Sequence, residues 1–184
     1  KVLPTSDFWT MFVAGTWIAL VGFMDDRGHH IAVRWRLLAH FSAAVWVLFW
    51  LGGLPSLSLF GTNIDLGWAG HLLAVVTLVW WLNLYNFMDG IDGLATVEAL
   101  FIVLSAVLLL SLESGVFFSM QGVSLLLSLL AASLFGFLIW NKPPAKIFMG
   151  DVGSTFLGFM LGMLAISSVA QGLLSPWTWL ILGG

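Results

Sequence analysis

The chain has 184 residues, of which 60% are hydrophobic and only 8% are charged, and its mean hydropathy is +1.05. A soluble domain carries about 25% charged residues, so this composition excludes a soluble globular protein and indicates a polytopic membrane protein. The net charge of −3 comes with only six Lys and Arg residues, too few to track nucleic-acid phosphates, so no nucleic acid is expected as a partner. The absence of cysteine excludes disulfides and thiolate metal sites.

Apolar runs long enough to cross a bilayer recur along the chain, since a helical span needs about 20 residues. We predict an all-α fold, a polytopic transmembrane helical bundle of about six complete spans and a partial seventh. The predicted spans are 8–24, 37–54, 68–88, 94–112, 122–140 and 155–170, and the partial seventh begins at 177. Without internal repeats or linkers, 1–184 is predicted to be a single transmembrane domain. Because the chain starts at Lys1 and stops inside the last run, we expect a fragment of a longer domain.

Basic residues other than Lys1 fall only in alternate connections between the predicted spans. They are Arg27, Arg34, Arg36, Lys142 and Lys146. The connections after odd-numbered spans share one side of the membrane, and the positive-inside rule assigns that side to the cytoplasm. The same counting gathers five acids at the cytoplasmic face: Asp25, Asp26, Asp89, Asp92 and Asp151. This convergence is the main functional signal in the sequence.

The first motif is the pair Asp25-Asp26 at the end of the first predicted span. Acidic side chains at a helix C-terminus oppose the helix dipole, and adjacent carboxylates repel each other. One interpretation is a solvated helix end with Arg27 as the partner. The other is a site in which a divalent cation or a neighbouring Arg neutralises the pair.

The second motif contains Asn83, Asn86, Asp89 and Asp92, which recur every three positions where the third predicted span ends. On a helix these polar side chains fall near one face. A glycine-rich turn is the simpler interpretation, but it gives no reason for two amides within the span, where an unpaired amide costs about 1–3 kcal/mol. The stripe therefore predicts a site for a cation, a phosphate donor, or both.

The third motif, residues 141–154, precedes the sixth predicted span. Its simpler interpretation is a basic loop whose prolines end a helix. Gly150, Gly153 and Ser154 around Asp151 instead favour a helix start whose backbone N–H groups face a phosphate while Asp151 holds a metal ion.

Taken together, the three motifs resemble the polyprenyl-phosphate N-acetylhexosamine-1-phosphate transferases (glycosyltransferase family 4), which include the phospho-MurNAc-pentapeptide translocase and enzymes that initiate O-antigen synthesis. In family order the matching stretches are Asp25-Asp26, Asn86-x-x-Asp89-Gly-Ile-Asp92-Gly93-Leu-Ala and Phe148-Met-Gly150-Asp151-Val-Gly153-Ser154. The resemblance implies transfer of sugar-1-phosphate from a UDP-sugar to polyprenyl (undecaprenyl) phosphate at the cytoplasmic face of the inner (plasma) membrane. It also implies release of UMP and Mg²⁺ as the cofactor.

The resemblance further implies roles for individual residues. Asp151 matches the metal-binding aspartate, with Asn86 as its co-ligand. The implied catalytic acids are Asp25, Asp26, Asp89 and Asp92. The implied nucleotide-binding residues are Gly90, Asp92, Asn141 and Phe148. The implied partners are the UDP-sugar, the polyprenyl phosphate and the lipid bilayer, and a homodimer is left open.

The family's N-terminal segment and its later His-containing loop have no counterpart here, so the resemblance implies that this portion alone is inactive or severely impaired. Details around Tyr85-Asn86 and in 141–146 favour the O-antigen-initiating (lipopolysaccharide) branch over the peptidoglycan branch. Two alternatives remain: a Mg-dependent intramembrane prenyltransferase, which would carry Asp-rich pairs in two loops, and an ion-coupled transporter, which would place acids near the midplane. An intramembrane aspartyl protease does not fit, because Met149-Gly150-Asp151 lacks the Gly-x-Gly-Asp element.

Overall fold

The structure is a computed structural model that describes residues 5–29, 31–53, 57–59, 62–114 and 122–183. Lys1 and most of the connection after the fourth predicted span, 115–121, lie outside them. The helices are α1 Thr5–Met24, α2 Val33–Leu51, α3 Gly67–Met88, α4 Leu94–Ser114, α5 Gly122–Asn141, α6 Gly150–Ala170 and α7 Pro176–Gly183. A π-helical turn, Asp25–His29, follows α1. The strands β1 Leu57–Leu59 and β2 Thr62–Ile64 form a short antiparallel hairpin between α2 and α3.

The predicted polytopic helical bundle is confirmed, with the hairpin as a small β element that the pattern did not predict. Five helices are long and apolar enough to cross a membrane, namely α1 with the turn after it, α3, α4, α5 and α6. The second predicted crossing corresponds to α2, which is not among these five helices. It begins at Val33 and therefore contains Arg34 and Arg36, which lower its mean hydropathy. The sixth begins at Gly150 rather than at residue 155, which places Asp151 in the first turn of α6.

The central helix of the bundle is α6, which has buried side chains on two faces. Leu157, Leu161 and Leu164 belong to a core that α6 forms with α3, α4, α5 and α7. Phe159 and Met163 belong to a second core that it forms with α1, α2 and α3. Because both faces are covered, the start of α6 is fixed relative to the helices on either side of it.

Small residues let the backbones of α1 and α3 approach α6 closely. A Cβ added to Gly22 of α1 would lie 2.6 Å from the Cα of Val152, and one added to Gly158 of α6 would lie 2.6 Å from the carbonyl oxygen of Trp81 in α3. Glycine at helix interfaces allows this approach in membrane proteins, where packing replaces the hydrophobic driving force. As a result, the C-terminal ends of α1 and α3 both lie beside the first turn of α6.

Side-chain contacts show that the ends of six helices meet at one end of the bundle. Arg36 in the first turn of α2 contacts Asp151 in the first turn of α6. Asn86 near the end of α3 also contacts Asp151. Thr96 in the first turn of α4 contacts the side chain of the last residue of α5. The alternation of helix direction that the sequence analysis assumed is therefore present at this end.

Candidate active site

Asp151 receives hydrogen bonds from two other helices. Its Oδ1 accepts from Asn86 Nδ2 at 2.8 Å, and its Oδ2 accepts from Arg36 Nη1 at 2.8 Å. Asn86 Nδ2 also donates to Ser154 Oγ at 3.1 Å, one turn along α6. The two residues that the resemblance assigned to the metal are thus in direct contact, although 65 positions separate them in the sequence.

Arg36 joins Asp151 to Asp25. Arg36 Nη1 also donates to Asp25 Oδ2 at 2.5 Å, and the backbone N–H of Ile31 donates to Asp25 Oδ1 at 2.9 Å. The three side chains are between 14% and 29% exposed, so water screens these ion pairs less than it screens a pair on an open surface. The neutralising neighbour of the Asp25-Asp26 pair is therefore Arg36, while Arg27 instead stacks over the Phe23 ring at 4.4 Å.

Asp26 caps the start of α6 from another helix. Its Oδ1 accepts from the backbone N–H of Asp151 at 2.9 Å, and its Oδ2 accepts from that of Val152 at 3.0 Å. The first N–H groups of a helix have no partner within the helix, and the helix dipole favours a negative charge there. In this structure Asp26 occupies the N–H groups that the sequence analysis assigned to a phosphate.

Gly150 makes this capping contact feasible for two reasons. Its φ is +65°, a left-handed conformation that side-chain-bearing residues rarely adopt. A Cβ at this position would also lie 2.8 Å from Asp26 Oδ2. Any other residue here would disturb both the backbone and the position of Asp26.

Asp89 lies directly after α3, and the backbone N–H of Gly150 donates to its carboxylate. Burial raises the pKa of Asp89 above its ordinary value, and the negative charges of Asp151 and Asp26 raise it further, while the Gly150 N–H opposes both effects. Asp89 therefore belongs to the same electrostatic environment as Asp26 and Asp151. The group formed by Asp25, Asp26, Arg36, Asn86, Asp89 and Asp151 is called the acid cluster below.

A second group lies where α4 begins and α5 ends. Asp92 Oδ2 accepts from the backbone N–H of Ala145 at 2.9 Å. The Asn141 side chain is only 3% exposed, and its Oδ1 accepts from Thr96 Oγ1 at 2.9 Å. Its Nδ2 donates to the carbonyl oxygen of Ile147 at 3.1 Å. Asp92 and Asn141 therefore both hold the loop 142–149 in this structure.

The remaining implied nucleotide-binding residues, Phe148 and Gly90, lie on the surface. The Phe148 side chain is 74% exposed, and Gly90, also exposed, follows directly after Asp89. Phe148 comes two positions before Gly150, so the chain links this loop to the acid cluster. The group formed by Asp92, Thr96, Asn141 and the loop 142–149 is called the loop cluster below. The assigned roles of all these residues in catalysis and binding stay predictions.

Two residues in these groups were not identified as site residues from the sequence. The sequence indicated Arg36 only as one of the basic residues that orient the chain in the membrane, and it gave no role to Thr96. The available signal for Arg36 was the Asp25-Asp26 pair, since two adjacent carboxylates favour a nearby cation, but the sequence did not distinguish Arg36 from the other basic residues at that face. No spacing rule points to Thr96, because its partner Asn141 is 45 positions away.

The acid cluster offers few ligands for a divalent cation. In 5–29, 31–53, 57–59, 62–114 and 122–183, no group of three or more His, Cys, Asp or Glu side chains has the geometry to hold a metal ion. Asp151 and Asn86 nevertheless offer a carboxylate and an amide, the hard oxygen donors that Mg²⁺ prefers, and Mg²⁺ commonly takes only one or two protein ligands. The residues therefore fit Mg²⁺ in kind, provided that Arg36 releases the Asp151 oxygen it binds here.

The fold and the two clusters define a multi-pass membrane protein with an acidic site at one end of a helical bundle. The sequence profile of glycosyl transferase family 4 matches residues 8–169, so the chain belongs to this family, and the predicted resemblance is confirmed.

Two similar curated proteins are both phospho-N-acetylmuramoyl-pentapeptide-transferases. The protein of Streptococcus pneumoniae (strain Hungary19A-6) is 39% identical over 175 residues, which cover 89% of this chain and 50% of that protein. The protein of Moorella thermoacetica (strain ATCC 39073 / JCM 9320) is 37% identical over 186 residues, which cover 92% of this chain and 54% of that protein. The chain thus spans about half the length of the curated relatives it matches.

Proposed function

We propose that the protein carrying this chain transfers N-acetylhexosamine-1-phosphate from a UDP-sugar to polyprenyl phosphate and releases UMP. The reaction takes place at the cytoplasmic face of the plasma membrane, where a soluble donor and a lipid acceptor can meet. The proposal depends chiefly on one observation: at one end of an apolar bundle, Arg36 of α2 binds both Asp25, directly after α1, and Asp151 of α6, and Asn86 of α3 binds the same Asp151. Membership of glycosyl transferase family 4 supports the reaction class.

The reaction joins two anions, so the site must reduce their repulsion. An oxygen of the acceptor phosphate attacks the phosphorus that carries the sugar, the bond from that phosphorus to the bridging oxygen breaks, and UMP leaves with this oxygen. Reduction of the charge repulsion between the reactants is the main contribution that a protein makes to such a transfer. Arg36 supplies positive charge between Asp25 and Asp151, where these acids would otherwise repel both phosphates.

Direct attack is favoured over a covalent phospho-aspartate intermediate. A phosphate monoester has its second pKa near 6, so the acceptor is mostly deprotonated at neutral pH and does not require a general base. Asp25 accepts from Arg36 and from the N–H of Ile31, and Asp26 accepts from two N–H groups of α6. Carboxylates held in this way are suited to orienting charge or to taking a residual proton, and less suited to acting as nucleophiles.

Mg²⁺ is the proposed cofactor, held by Asp151 with Asn86. When bound, it would supply positive charge to the donor diphosphate. The chain's own contribution is to place the Asp151 carboxylate and the Asn86 amide side by side, with Ser154 fixing the amide from α6.

The loop cluster is the proposed site of the donor nucleotide. Phe148 presents an exposed ring on which a uracil base can stack, and Gly90 and Asp92 lie in the connection that leads from Asp89 of the acid cluster into α4. Phe148 comes two positions before Gly150, whose backbone N–H binds Asp89 of the acid cluster. A nucleotide stacked on Phe148 would therefore direct its diphosphate toward the acid cluster.

Two donors are proposed for testing, in order. UDP-MurNAc-pentapeptide comes first, because the similar proteins are phospho-N-acetylmuramoyl-pentapeptide-transferases. A UDP-N-acetylhexosamine of the O-antigen branch comes second, on the details at Tyr85-Asn86 and 141–146 noted above. An ion-coupled transporter is less well supported, since the clustered acids lie at the end of the bundle.

The test is an assay of the intact protein in lipid nanodiscs with undecaprenyl phosphate and a panel of UDP-sugars that includes both donor types. UMP release and formation of the lipid-linked sugar are measured with Mg²⁺ and with EDTA. We expect UMP release that requires the lipid acceptor, occurs with one donor type and stops in EDTA.

A matched control is Glu113→Gln, which removes an exposed acid near the far end of α4 and should leave turnover unchanged. Absence of UMP release with every donor would contradict the proposed reaction. Undiminished release in EDTA would contradict the proposed cofactor while leaving the reaction in place.

A further inference from the structure

We propose that Thr96 is a positioning residue for the donor nucleotide, because its hydroxyl fixes Asn141 and thereby holds the loop that presents Phe148. This inference rests on the proposed function, since it concerns binding of the UDP-sugar. Neither the resemblance nor the comparisons assign Thr96 a role.

The first step is the contact between Thr96 and Asn141. The Thr96 side chain in the first turn of α4 is fully buried, and its Oγ1 donates to Asn141 Oδ1 at 2.9 Å. Asn141 is the last residue of α5 and is only 3% exposed. A buried amide oxygen without a donor is costly, and Thr96 is the donor that this structure provides.

The second step leads from Asn141 to the loop. Its other amide atom, Nδ2, donates to the carbonyl oxygen of Ile147 at 3.1 Å, directly before Phe148. Thr96 fixes which way the amide faces, since a hydroxyl that donates to Oδ1 leaves Nδ2 directed at the loop. The hydroxyl of Thr96 is therefore connected to the backbone of Phe148 through one side chain.

The third step is that Phe148 depends on its backbone for its position. Its ring is 74% exposed and has little packing of its own to hold it. The loop is also tied by Asp92, which accepts from the Ala145 N–H, and by the Lys146 N–H, which donates to the Trp140 carbonyl oxygen at 2.8 Å. Of these three contacts, the one from Asn141 lies next to Phe148, so its loss should change how the ring is presented while the rest of the loop stays attached.

The fourth step concerns the packing beneath the loop. Gly93 has a φ of +76°, and a Cβ there would lie 3.5 Å from the carbonyl oxygen of Asn141 and 3.5 Å from Pro143 Cδ. The residue before α4 and the start of the loop therefore lie close together, with room between them for about one methyl group. Asn141, at this junction, is buried.

The experiment compares Thr96→Val, which keeps the shape and removes the hydroxyl, with Thr96→Ser, which keeps the hydroxyl. The first measurement is hydrogen exchange of the backbone in 142–149 in the intact protein. We expect faster exchange in Thr96→Val and the wild-type rate in Thr96→Ser. Ser111→Ala is the matched control, because it removes a buried hydroxyl that donates to Val107 on the same helix, far from the loop.

The second measurement separates KM from kcat for the UDP-sugar. In Thr96→Val we expect KM to rise about fivefold, the size of one lost hydrogen bond, with kcat within roughly twofold of wild type. Thr96→Ser should restore the wild-type KM. Since Thr96 acts through Phe148, the double variant Thr96→Val/Phe148→Ala should have the KM of Phe148→Ala alone.

Unchanged loop exchange in Thr96→Val would overturn the proposal, and so would an altered loop with an unchanged KM. Additive effects of Thr96→Val and Phe148→Ala would also overturn it, because they would mean that Thr96 acts by another route. A wild-type protein that releases no UMP would instead contradict the proposed function. The exchange measurement would still decide whether Thr96 holds the loop.

Discussion

The acid cluster and the loop cluster lie at the same end of the bundle but are stabilised in opposite ways. The acid cluster is held by charge: Arg36 binds two carboxylates, and the start of α6 binds a third. The loop cluster is held mainly by neutral hydrogen bonds, with Thr96 and Asn141 buried beneath an exposed loop.

This difference suggests a division of function. Charged groups that are partly exposed can exchange partners with phosphates or a cation at low cost, because each ion pair is already partly screened by water. A buried neutral network cannot rearrange without leaving polar atoms unpaired, so it is suited to holding a shape. Substitutions in the acid cluster should therefore affect kcat, and those in the loop cluster should affect KM.

The largest effect is expected from Asp151→Asn. The substitution keeps the size of the side chain but removes the charge that pairs with Arg36 and would hold the cation. We expect UMP release to fall by about 1,000-fold or more, with normal insertion into the membrane. Wild-type turnover in this variant would refute the metal role of Asp151, and a change confined to KM would contradict the division between the two clusters.

Arg36→Gln should have the next largest effect. It leaves Asp25 and Asp151 without their shared cation, and loss of one partner of a partly buried pair destabilises more than the intact pair stabilises. We expect kcat to fall about 100-fold and the unfolding temperature without metal to decrease. Mg²⁺ should raise that temperature more in the variant than in the wild type, because the ion no longer competes with the guanidinium.

Thermal unfolding of Arg36→Gln with and without Mg²⁺ measures this directly. Arg34→Gln is the matched control, since Arg34 is exposed and lies over the Trp35 ring at 5.8 Å. Arg36→Lys should be intermediate, because it keeps the charge but loses the guanidinium fork. An equal Mg²⁺ effect in wild type and Arg36→Gln would mean that Arg36 and the cation do not share Asp151.

Hydropathy predicted most of the fold, because a bilayer imposes a minimum length on each apolar helix. Most errors lie at helix starts. The predicted sixth span began at 155 because Gly150, Asp151 and Gly153 lower the local hydropathy, yet these residues begin α6 with Asp26 as an external cap. The predicted start of α2 was late for a similar reason, since Arg34 and Arg36 are polar. Helix capping by a distant residue leaves no periodic signal. A further error is the polar stripe, because α3 ends at Met88 and Asp92 therefore lies in the turn after it, not on the helix face of Asn83 and Asn86.

The candidate site was predictable as a set of acids but not as a network. Counting crossings placed Asp25, Asp89 and Asp151 at one end, and the structure brings them together there. What the sequence could not supply was the partner of each side chain, because the Arg36 to Asp151 contact joins residues 115 positions apart. The hydrogen bond from Thr96 to Asn141 likewise joins residues that are distant in the sequence, and it depends on how α4 and α5 pack.

Phe148→Ala tests the other side of the comparison. Stacking of a base on an aromatic ring contributes about 1–3 kcal/mol, so we expect KM for the UDP-sugar to rise about tenfold while kcat changes little. Phe87→Ala is the control. Phe87 is 82% exposed, lies at the C-terminal end of α3, which is at the same end of the bundle as Phe148, and has no assigned role. An unchanged KM in Phe148→Ala would remove the stacking assignment, and an equal rise in Phe87→Ala would indicate a general loss of apolar surface.

The smallest change in stability is expected from Asp89→Asn, which probes the electrostatic environment of the acid cluster without removing a hydrogen-bond acceptor for the Gly150 N–H. Burial and the charges of Asp151 and Asp26 raise the pKa of Asp89, so the folded protein holds this proton more tightly than the unfolded chain does. The folded state therefore loses stability as the pH rises from the pKa of Asp89 in the unfolded chain through its raised pKa in the folded protein, and the full loss is present at neutral pH.

Asp89→Asn should raise the unfolding temperature at pH 7. The increase should be small, on the order of 2 °C, because Asp89 is partly exposed and water partly screens the charges that shift its pKa. The difference should shrink as the pH falls through the raised pKa of Asp89, because the wild-type carboxyl becomes protonated there. Glu113→Gln should show no such trend, and a difference that stays constant with pH would mean that the charge of Asp89 is not the cause.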